Sequence, residues 1–381
     1  MSMRVQTRLF SVLSFVAASC CMTLVPPSDN WGRYSAAASS SLAKEPGWEL
    51  IPDTQLSTAC PDVDQIRGVE GCQAVIADWN GGLADTKRNR LILWGGGHSG
   101  YFGNEMYALD VEKSTLQRIT EPTTGENLSN LKSCPEEYGD GKPNARHTYN
   151  GLQYISKLDQ YFVFGAGLSP CGNFSNGVWF FNPALLTWTK QNPKTHPNPA
   201  QNGSVPMTAY DSGSGMVYEV EGNTGVFWKY DPSADNWTSL AEVKACAKLN
   251  MTSTVDPARK LYFCIGNGSF SKIGLSGSHK ATTLAGRGCE GLISAGGPGF
   301  DFDSSQNRLV GWAGGATIYI YDPDSDSCTT KSFLGDPGPQ QKNGTFGRFR
   351  YFPALNLFAV VNDWKQDAYV LRLGTPGSSN H

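Results

Sequence analysis

Short apolar segments separated by turn residues dominate the pattern of hydrophobic and polar positions along the chain. Six of these segments have the length and the β-branched and aromatic content of buried strands, namely residues 91–94, 160–164, 216–220, 261–265, 309–312 and 357–361. Each follows another segment with a strand-like pattern, near residues 74–83, 147–155, 205–210, 251–255, 299–302 and 347–352. The pattern therefore predicts an all-β chain of paired antiparallel strands.

A turn and a bulky residue recur at a fixed distance downstream of these pairs. An aromatic or aliphatic residue precedes a turn that usually contains proline, and a large side chain follows seven positions later. The pairs at this spacing are Phe181 with Trp188, Tyr230 with Trp237, Tyr321 with Cys328, and Leu109 with Leu116. A strand, a turn and a further strand produce such a frame, and its regular return indicates a repeat architecture.

Two stretches carry a resemblance to a known family. They are residues 91–110, LILWGGGHSGYFGNEMYALD, with their glycine run, and residues 230–240, YDPSADNWTSL. The pattern resembles the kelch-repeat β-propellers, a group of galactose-oxidase- and kelch-like propellers. The resemblance covers residues 46–374 and implies blades of four antiparallel strands. Kelch motifs specify a fold far better than a function.

Counting the second strands predicts six blades. The last unit, which ends near residues 369–373, lacks a fourth strand, and residues 48–51 have the form of one. An N-terminal strand would then close the ring and remove an open sheet edge. A seventh blade within residues 120–144 is the open alternative. A two-sheet sandwich would explain the alternation, but not the recurring turn and bulky residue.

The N-terminus predicts export. Arg4 and Arg8 precede an apolar stretch that resembles a signal peptide over residues 1–25, and Cys20 offers an alternative lipoprotein anchor. A Ser- and Ala-rich spacer follows over residues 26–45, and residues 375–381 form a disordered tail. We therefore expect a secreted or periplasmic protein without a transmembrane span. The formal charge of -3 and the lack of a basic run give no reason to expect nucleic acid.

Eight cysteines remain after removal of the signal peptide, and an even number in an exported chain predicts disulfides. The propeller topology supports three pairs: Cys60 with Cys72, Cys134 with Cys171, and Cys246 with Cys264. Cys289 and Cys328 fall towards opposite ends of their blade and are left unassigned. No close cysteine pair suggests zinc, and we expect no metal and no cofactor.

The propeller topology predicts where functional residues meet. The loop between the second and third strands and the loop that leads into each blade open on the same face, here called the loop face. Blades one, two and six are neighbours in the closed ring and place on it the candidates His98, Tyr101, Asn104, Glu105, Arg146, His147, Tyr149, Arg348, Arg350, Tyr351, Asp363, Trp364 and Lys365. Each also has a structural interpretation: the arginines and His147 could satisfy backbone carbonyls, and Glu105 could accept a hydrogen bond between blades.

Arginines bind carboxylates, aromatic faces stack on sugar rings, and histidine or tyrosine can exchange protons. We therefore expect a monomeric propeller that binds carbohydrate, in particular acidic polysaccharide, through Arg146, Arg348, Arg350, Asn104, Glu105 and Trp364. The enzymatic alternative is a polysaccharide lyase that acts by β-elimination, with His147 or His98 as the base and Tyr149 or Tyr101 as the acid. A propeller that binds a protein partner is the third interpretation.

Overall fold

The computed structural model describes residues 45–62, 66–129, 131–197 and 205–374. The predicted signal peptide, the Cys20 anchor, the spacer up to residue 44 and the tail from residue 375 lie outside the described residues. Strands dominate the described part of the chain, which confirms the prediction of an all-β fold. No helix there has the length and apolar character needed to span a membrane.

The described strands, numbered in chain order, are β1 (Gly47–Ile51), β2 (Gly82–Asp85), β3 (Arg90–Leu93), β4 (Tyr107–Asp110), β5 (Thr115–Arg118), β6 (Arg146–His147), β7 (Leu152–Ile155), β8 (Gln160–Phe164), β9 (Gly167–Leu168), β10 (Val178–Asn182), β11 (Thr187–Lys190), β12 (Thr208–Asp211), β13 (Met216–Val220), β14 (Val226–Asp231), β15 (Asn236–Glu242), β16 (Thr252–Asp256), β17 (Leu261–Gly266), β18 (Ser269–Gly274), β19 (Ala281–Thr283), β20 (Gly299–Asp303), β21 (Arg308–Trp312), β22 (Thr317–Asp322), β23 (Ser327–Ser332), β24 (Phe349–Phe352), β25 (Leu357–Val360) and β26 (Ala368–Arg372). The α-helices are α1 (Ala74–Ala77) and α2 (Glu290–Ser294). The single-turn 3-10 helices are Leu56–Ala59, Gly71–Gln73, Gly125–Leu128, Leu131–Ser133, Lys244–Cys246 and Phe346–Arg348.

Six four-stranded antiparallel sheets form the blades of a β-propeller within the described residues, as the sequence predicted. Blades one to five have the orders β2-β3-β4-β5, β7-β8-β10-β11, β12-β13-β14-β15, β16-β17-β18-β19 and β20-β21-β22-β23. Blade six has the order β24-β25-β26-β1. The N-terminal strand therefore closes the ring, with Trp48 paired to Leu371. Closure covers a sheet edge that would otherwise be exposed.

The seven-residue spacing arises because the two residues pair directly across the outer hairpin of a blade. Tyr230 pairs directly with Trp237 across β14 and β15, and the equivalent positions pair in blades one, two and five. In blade three the tryptophan packs against the preceding blade, because its ring centroid lies 4.8 Å from that of Phe164. Trp237 is fully buried, and truncating such a side chain to alanine costs about 3–5 kcal/mol. The repeated residue thus stabilises a boundary between blades.

The structure corrects the predicted first strands of blades one and two. Residues 74–77 form α1, and the inner strand of blade one starts only at Gly82. Asn80 ends the helical segment by donating from Nδ2 to the Ala74 carbonyl at 2.7 Å. In blade two the inner strand starts at Leu152, while Arg146 and His147 form β6, which pairs with β9 in a separate ribbon. His147 therefore lies in a connecting loop and not in an inner strand.

The described part of residues 120–144 holds no seventh blade. Their described part contains two 3-10 helices and no sheet. Leu128, Leu131 and Tyr138 form a small buried cluster of their own with Phe102, which anchors the segment to the loop face. The segment is an elaboration of the loop between blades one and two.

The described cysteines form four disulfides. The three predicted pairs are confirmed: Cys60–Cys72, Cys134–Cys171 and Cys246–Cys264. Cys289 and Cys328 form the fourth. They meet because Cys289 lies just before α2, in the connecting loop that runs beside β23, and the amide of Cys328 donates to the Arg287 carbonyl at 2.7 Å. Disulfides persist in oxidising compartments, which agrees with export.

Candidate functional site

Two loops of the loop face hold the predicted histidines together. Residues 94–106 connect β3 to β4 and carry His98, and the loop between blades one and two carries His147 and Tyr149. The loops touch at Gly97, whose φ is +90°. A Cβ there would lie 2.3 Å from the backbone nitrogen of His147, so a larger residue would force the loops apart. Close backbone contact therefore explains the glycine at position 97.

His98, His147, Tyr149, Trp79 and Phe346 form a continuous group of rings, which we call the loop-face cluster. His98 stacks on His147 with centroids 4.2 Å apart and planes 26° from parallel. The ring centroid of Trp79 lies 5.2 Å from that of His147. The ring centroid of Tyr149 lies 6.2 Å from that of His147, and these two rings meet edge to face. Phe346, from the loop before blade six, lies 5.7 Å from Tyr149. Blades one, two and six thus meet here.

His147 is the buried centre of this cluster. The residue is 2% exposed, and neither ring nitrogen has a hydrogen-bond partner among the described residues. Burial, together with the neighbouring His98, lowers the pKa of His147 to about 3, so the imidazole is neutral at physiological pH. Burial also lowers the pKa of His98, which is partly exposed. A neutral imidazole offers one donor and one acceptor.

Asp78 supplies the carboxyl group of the site. It follows α1 directly, is 7% exposed, and places Oδ2 3.9 Å from Nε2 of His147. Burial raises the pKa of Asp78 to about 7, and the exposed carboxylate of Glu70 adds to the effect through its charge and a hydrogen bond. A carboxyl group with such a pKa can donate or accept a proton near neutrality.

Exposure differs between the rings of the cluster. Trp79 and His98 are partly exposed, whereas Tyr149 and Phe346 are buried beneath them with Ala166. Phe174, also partly exposed, packs against the same group. The loop face therefore presents aromatic surface over a fixed aromatic base.

Tyr101, Asn104 and Glu105 lie beneath the loop and not in the cluster. The hydroxyl of Tyr101 donates to Glu105 Oε1 at 2.7 Å, and that of Tyr107 donates to the same oxygen at 2.6 Å. Asn104 accepts from the Thr123 amide at 2.7 Å. All three predicted residues are at most 1% exposed. Their geometry fits the structural interpretation, and we leave them out of the candidate site.

Arg146 and Arg348 are also fully buried. Arg146 forms an ion pair with Glu136 at 3.0 Å and donates from Nε to the Asn144 carbonyl. Arg348 donates to the backbone carbonyls of Ile76, Asn80, Gly344 and Val361. Neither guanidinium is accessible to a ligand in this structure, so their predicted role in carboxylate binding gains no support.

Trp364 and Arg350 lie apart from the cluster. Trp364 packs against the core shared by blades one and six, and the Nζ of Lys365 lies 4.9 Å from its ring centroid. Asp363, in the same loop, accepts from Gln341. Arg350 projects from the inner strand β24 into the central channel and lines a cavity that also contacts Tyr351. Of the predicted residues, the structure brings together His98, His147 and Tyr149.

Four residues of the site, Asp78, Glu70, Trp79 and Phe346, were not among the candidates predicted from the sequence. These residues lie in loops outside the repeated frame, where no periodic pattern marks them. One signal was present: Asp78 and Trp79 directly precede the Asn-Gly-Gly turn that leads into blade one. Among the described residues, no group of three or more His, Cys, Asp or Glu side chains is arranged to hold a metal.

Comparisons with known proteins agree with the fold. No known family's sequence profile matches the chain, and no curated protein matches it in sequence. A Bacteroides thetaiotaomicron protein of unknown function is similar in structure, with a TM-score of 0.54 and 11% identity over 86% of this chain and 76% of that one. The structure named YjhT matches with a TM-score of 0.52 and 11% identity, over 86% of this chain and 97% of that one. The shared feature is the fold alone.

A fungal alcohol oxidase of the AA5 family, solved in complex with copper, matches with a TM-score of 0.47 and 13% identity, over 78% of this chain and 62% of that one. At this similarity the oxidase carries no argument about chemistry in this chain. Membership of the kelch-repeat family stays a prediction.

Proposed function

We propose that this propeller binds a carbohydrate on its loop face. The observation that carries the proposal is the loop-face cluster, in which the partly exposed rings of Trp79 and His98 lie over the buried His147 and Tyr149. Sugar rings present apolar C–H faces that pack on aromatic rings, and rigid aromatic side chains lose little entropy on binding. The disulfides fit the secreted or periplasmic setting in which such a ligand would be met.

Polar groups at the edge of the cluster would fix the sugar's orientation. Asp78 can donate or accept a hydrogen bond according to its protonation state, because its pKa is raised to about 7. The ring nitrogens of His147 also have no partner among the described residues, but they are buried and do not serve this role. Binding sites combine apolar surface with a few such groups.

Neutral sugar units fit this surface better than acidic ones. The acidic preference expected from the sequence depended on Arg146, Arg348 and Arg350. The guanidinium groups of Arg146 and Arg348 face protein acceptors, and Arg350 lines a separate cavity. The nearest charged groups are instead the carboxyls of Asp78 and Glu70. A uronate beside them would be repelled once Asp78 is ionised.

β-Elimination is the less supported alternative. Of its expected inventory, His98 is partly exposed on this surface, Tyr149 and Tyr101 are buried, and His147 has a pKa of about 3 and is a weak base. Incubation with a panel of uronate-containing polysaccharides, followed by ultraviolet absorbance of unsaturated products, tests it directly. Product formation that is lost in His98→Ala would establish the lyase and replace simple binding.

The binding proposal is tested with Trp79→Ala. We would screen the purified full chain against neutral and acidic oligosaccharides and measure affinity for each hit by calorimetry. Loss of one stacking ring costs about 1.4 kcal/mol, or roughly tenfold in Kd. Trp364→Ala is the matched control, because it removes a partly exposed tryptophan of the same face that packs in a different cluster.

Two results would contradict the proposal. The first is the absence of binding across the panel by protein whose circular dichroism and melting are normal. The second is binding that Trp364→Ala weakens and Trp79→Ala does not. Capture of a protein ligand that requires Trp79 would favour the interpretation as a protein-binding propeller.

A further inference from the structure

A separate cavity opens at the other end of the central channel. It has a volume of about 250 Å³ and is lined by residues of the inner strands of all six blades, together with the hairpin turns that follow them. These turns lie on the face opposite the loop face. Ligand pockets are commonly a few hundred Å³, so this volume suits a molecule no larger than a single sugar.

Arg350 is the only cationic side chain lining the cavity among the described residues. It is 6% exposed, and its Nη1 lies 3.5 Å from Oδ1 of Asp301, too far for a good hydrogen bond. The single hydrogen bond found for it in the described chain runs from Nη2 to Asn150 Oδ1 at 3.4 Å. A guanidinium has five N–H donors, so most of its donor capacity is unused by protein.

Asp301 is fixed by protein donors and keeps acceptor capacity of its own. Its oxygens accept from the amides of Tyr351 at 2.9 Å and Phe302 at 3.0 Å, and from the Thr254 hydroxyl at 3.2 Å. Asn150 is fixed in turn, because Nδ2 donates to the Ser253 hydroxyl at 3.0 Å. The donors and acceptors around the cavity are therefore preorganised.

The charge of the cavity decides which ligand it suits. Arg350 and Asp301 are a close pair of opposite charges, so a ligand carboxylate would be attracted by one and repelled by the other over similar distances. A neutral molecule with several hydroxyls meets no such conflict, since it accepts from Arg350 and donates to Asp301. The serine and threonine hydroxyls of the lining extend the same pattern.

We infer that the channel cavity binds a neutral polyol of monosaccharide size, through Arg350 and Asp301. This site is distinct from the loop-face cluster, and the inference does not depend on the function proposed for that face. The chain would then recognise a small sugar at one end of the channel and present an aromatic surface at the other.

The test uses the full chain and a panel of D-glucose, D-galactose, D-mannose and myo-inositol, with D-glucuronate and acetate as charged probes. Saturation-transfer NMR and calorimetry report binding. We expect at least one neutral probe to bind, with affinity reduced at least about tenfold in Arg350→Gln. This variant should fold, because Asp301 retains three other donors.

A second pair of variants guards against loss of folding. Ser212→Trp places a large side chain at the exposed cavity rim, and Ser233→Trp makes the same change in the exposed outer hairpin of the same blade. We expect the first to block binding and the second to leave it unchanged. No binding by any neutral probe, equal binding in Arg350→Gln and Ser212→Trp, or tighter binding of glucuronate would overturn the inference. Binding lost in Trp79→Ala but kept in Arg350→Gln would assign the sugar to the loop face and overturn it as well.

Discussion

Asp78 is the residue of the site whose carboxyl pKa is raised towards neutrality. Its carboxyl is nearly buried beside His147, with Glu70 as a second carboxyl neighbour and Tyr149 close enough for their charges to interact. A neutral His147 cannot compensate the negative charge of an ionised Asp78. The fold therefore favours the protonated carboxyl, and this preference links stability to pH.

We predict that Asp78→Asn removes a pH-dependent loss of stability. The folded-state pKa of Asp78 is raised from 3.8 to about 7, so the folded chain prefers the protonated form. Below pH 4 the carboxyl is protonated in both the folded and the unfolded state and does not change the free energy of unfolding. As the pH rises from about 4 to about 7 the free energy of unfolding falls, and above that it stays at the lower value. Urea unfolding of both proteins between pH 5 and pH 8 should show the wild type losing stability relative to Asp78→Asn.

Glu70→Gln provides an internal check on the same group. Removing the neighbouring charge lowers the folded-state pKa of Asp78, so the loss of stability should still begin near pH 4 but end at lower pH and be smaller at pH 8. Parallel stability curves for the wild type and Asp78→Asn across this range would contradict the assigned protonation.

Part of the candidate site was predictable from the sequence, residue by residue. The position of His98 and His147 on loops of adjacent blades was enough to predict that they lie on one face, and their rings stack there. The direction of an arginine side chain was not predictable, because Arg348 precedes its strand within a 3-10 helix whereas Arg350 lies in the strand itself. The alternation of side chains along a strand does not extend into the 3-10 helix. Arg348 and Arg350, two positions apart, therefore have different surroundings although strand alternation would place them on the same side.

The elements that matter most are the loops between blades. Arg348 connects them, since its guanidinium donates to carbonyls at the start of blade six, at the end of β25 and in the segment before blade one. Burial lowers its pKa to about 9, which leaves it charged at neutral pH. A buried guanidinium that donates to four carbonyls therefore connects these loops and has a structural role.

We predict that Arg348→Met destabilises the fold strongly. Four buried carbonyls would lose a charged donor, and a single unsatisfied buried group already costs about 1–3 kcal/mol, so a loss of about 3 kcal/mol or more is expected in denaturant unfolding. Arg90→Met is the control, because Arg90 is partly exposed and paired with Asp110 at 3.3 Å, an interaction worth about 1 kcal/mol at most. Equal small effects for both variants would show that Arg348 carries no such role.

The inner strands of blades one and two began later than their sequence pattern indicated. The apolar run at residues 74–77 has the composition of a buried strand, but four residues cannot distinguish a strand from one helical turn. The hydrogen bond from Asn80 and the contact of both loops around Gly97 decide the local structure. These contacts join distant parts of the chain, so local sequence does not contain them.

The propeller ring was the part of the structure that the sequence predicted most completely. Register in the outer hairpins, the count of second strands and the missing fourth strand all follow from repeated local pattern, and the structure confirms each. Structural neighbours at 11% identity show how little sequence the fold requires. The candidate site lies in the non-repeating loops, which is why the fold was predictable from the sequence and the site only in part.

The central claim is that the loop-face cluster is where carbohydrate binds. Hydrogen exchange read by mass spectrometry, with and without a saturating oligosaccharide from the panel, tests it most directly. We predict slower exchange in residues 78–81, 98–102 and 146–150, which carry the cluster, and unchanged exchange in the opposite turns at residues 212–215 and 304–307. Protection confined to those turns, or no protection in the cluster under saturated binding, would contradict the account.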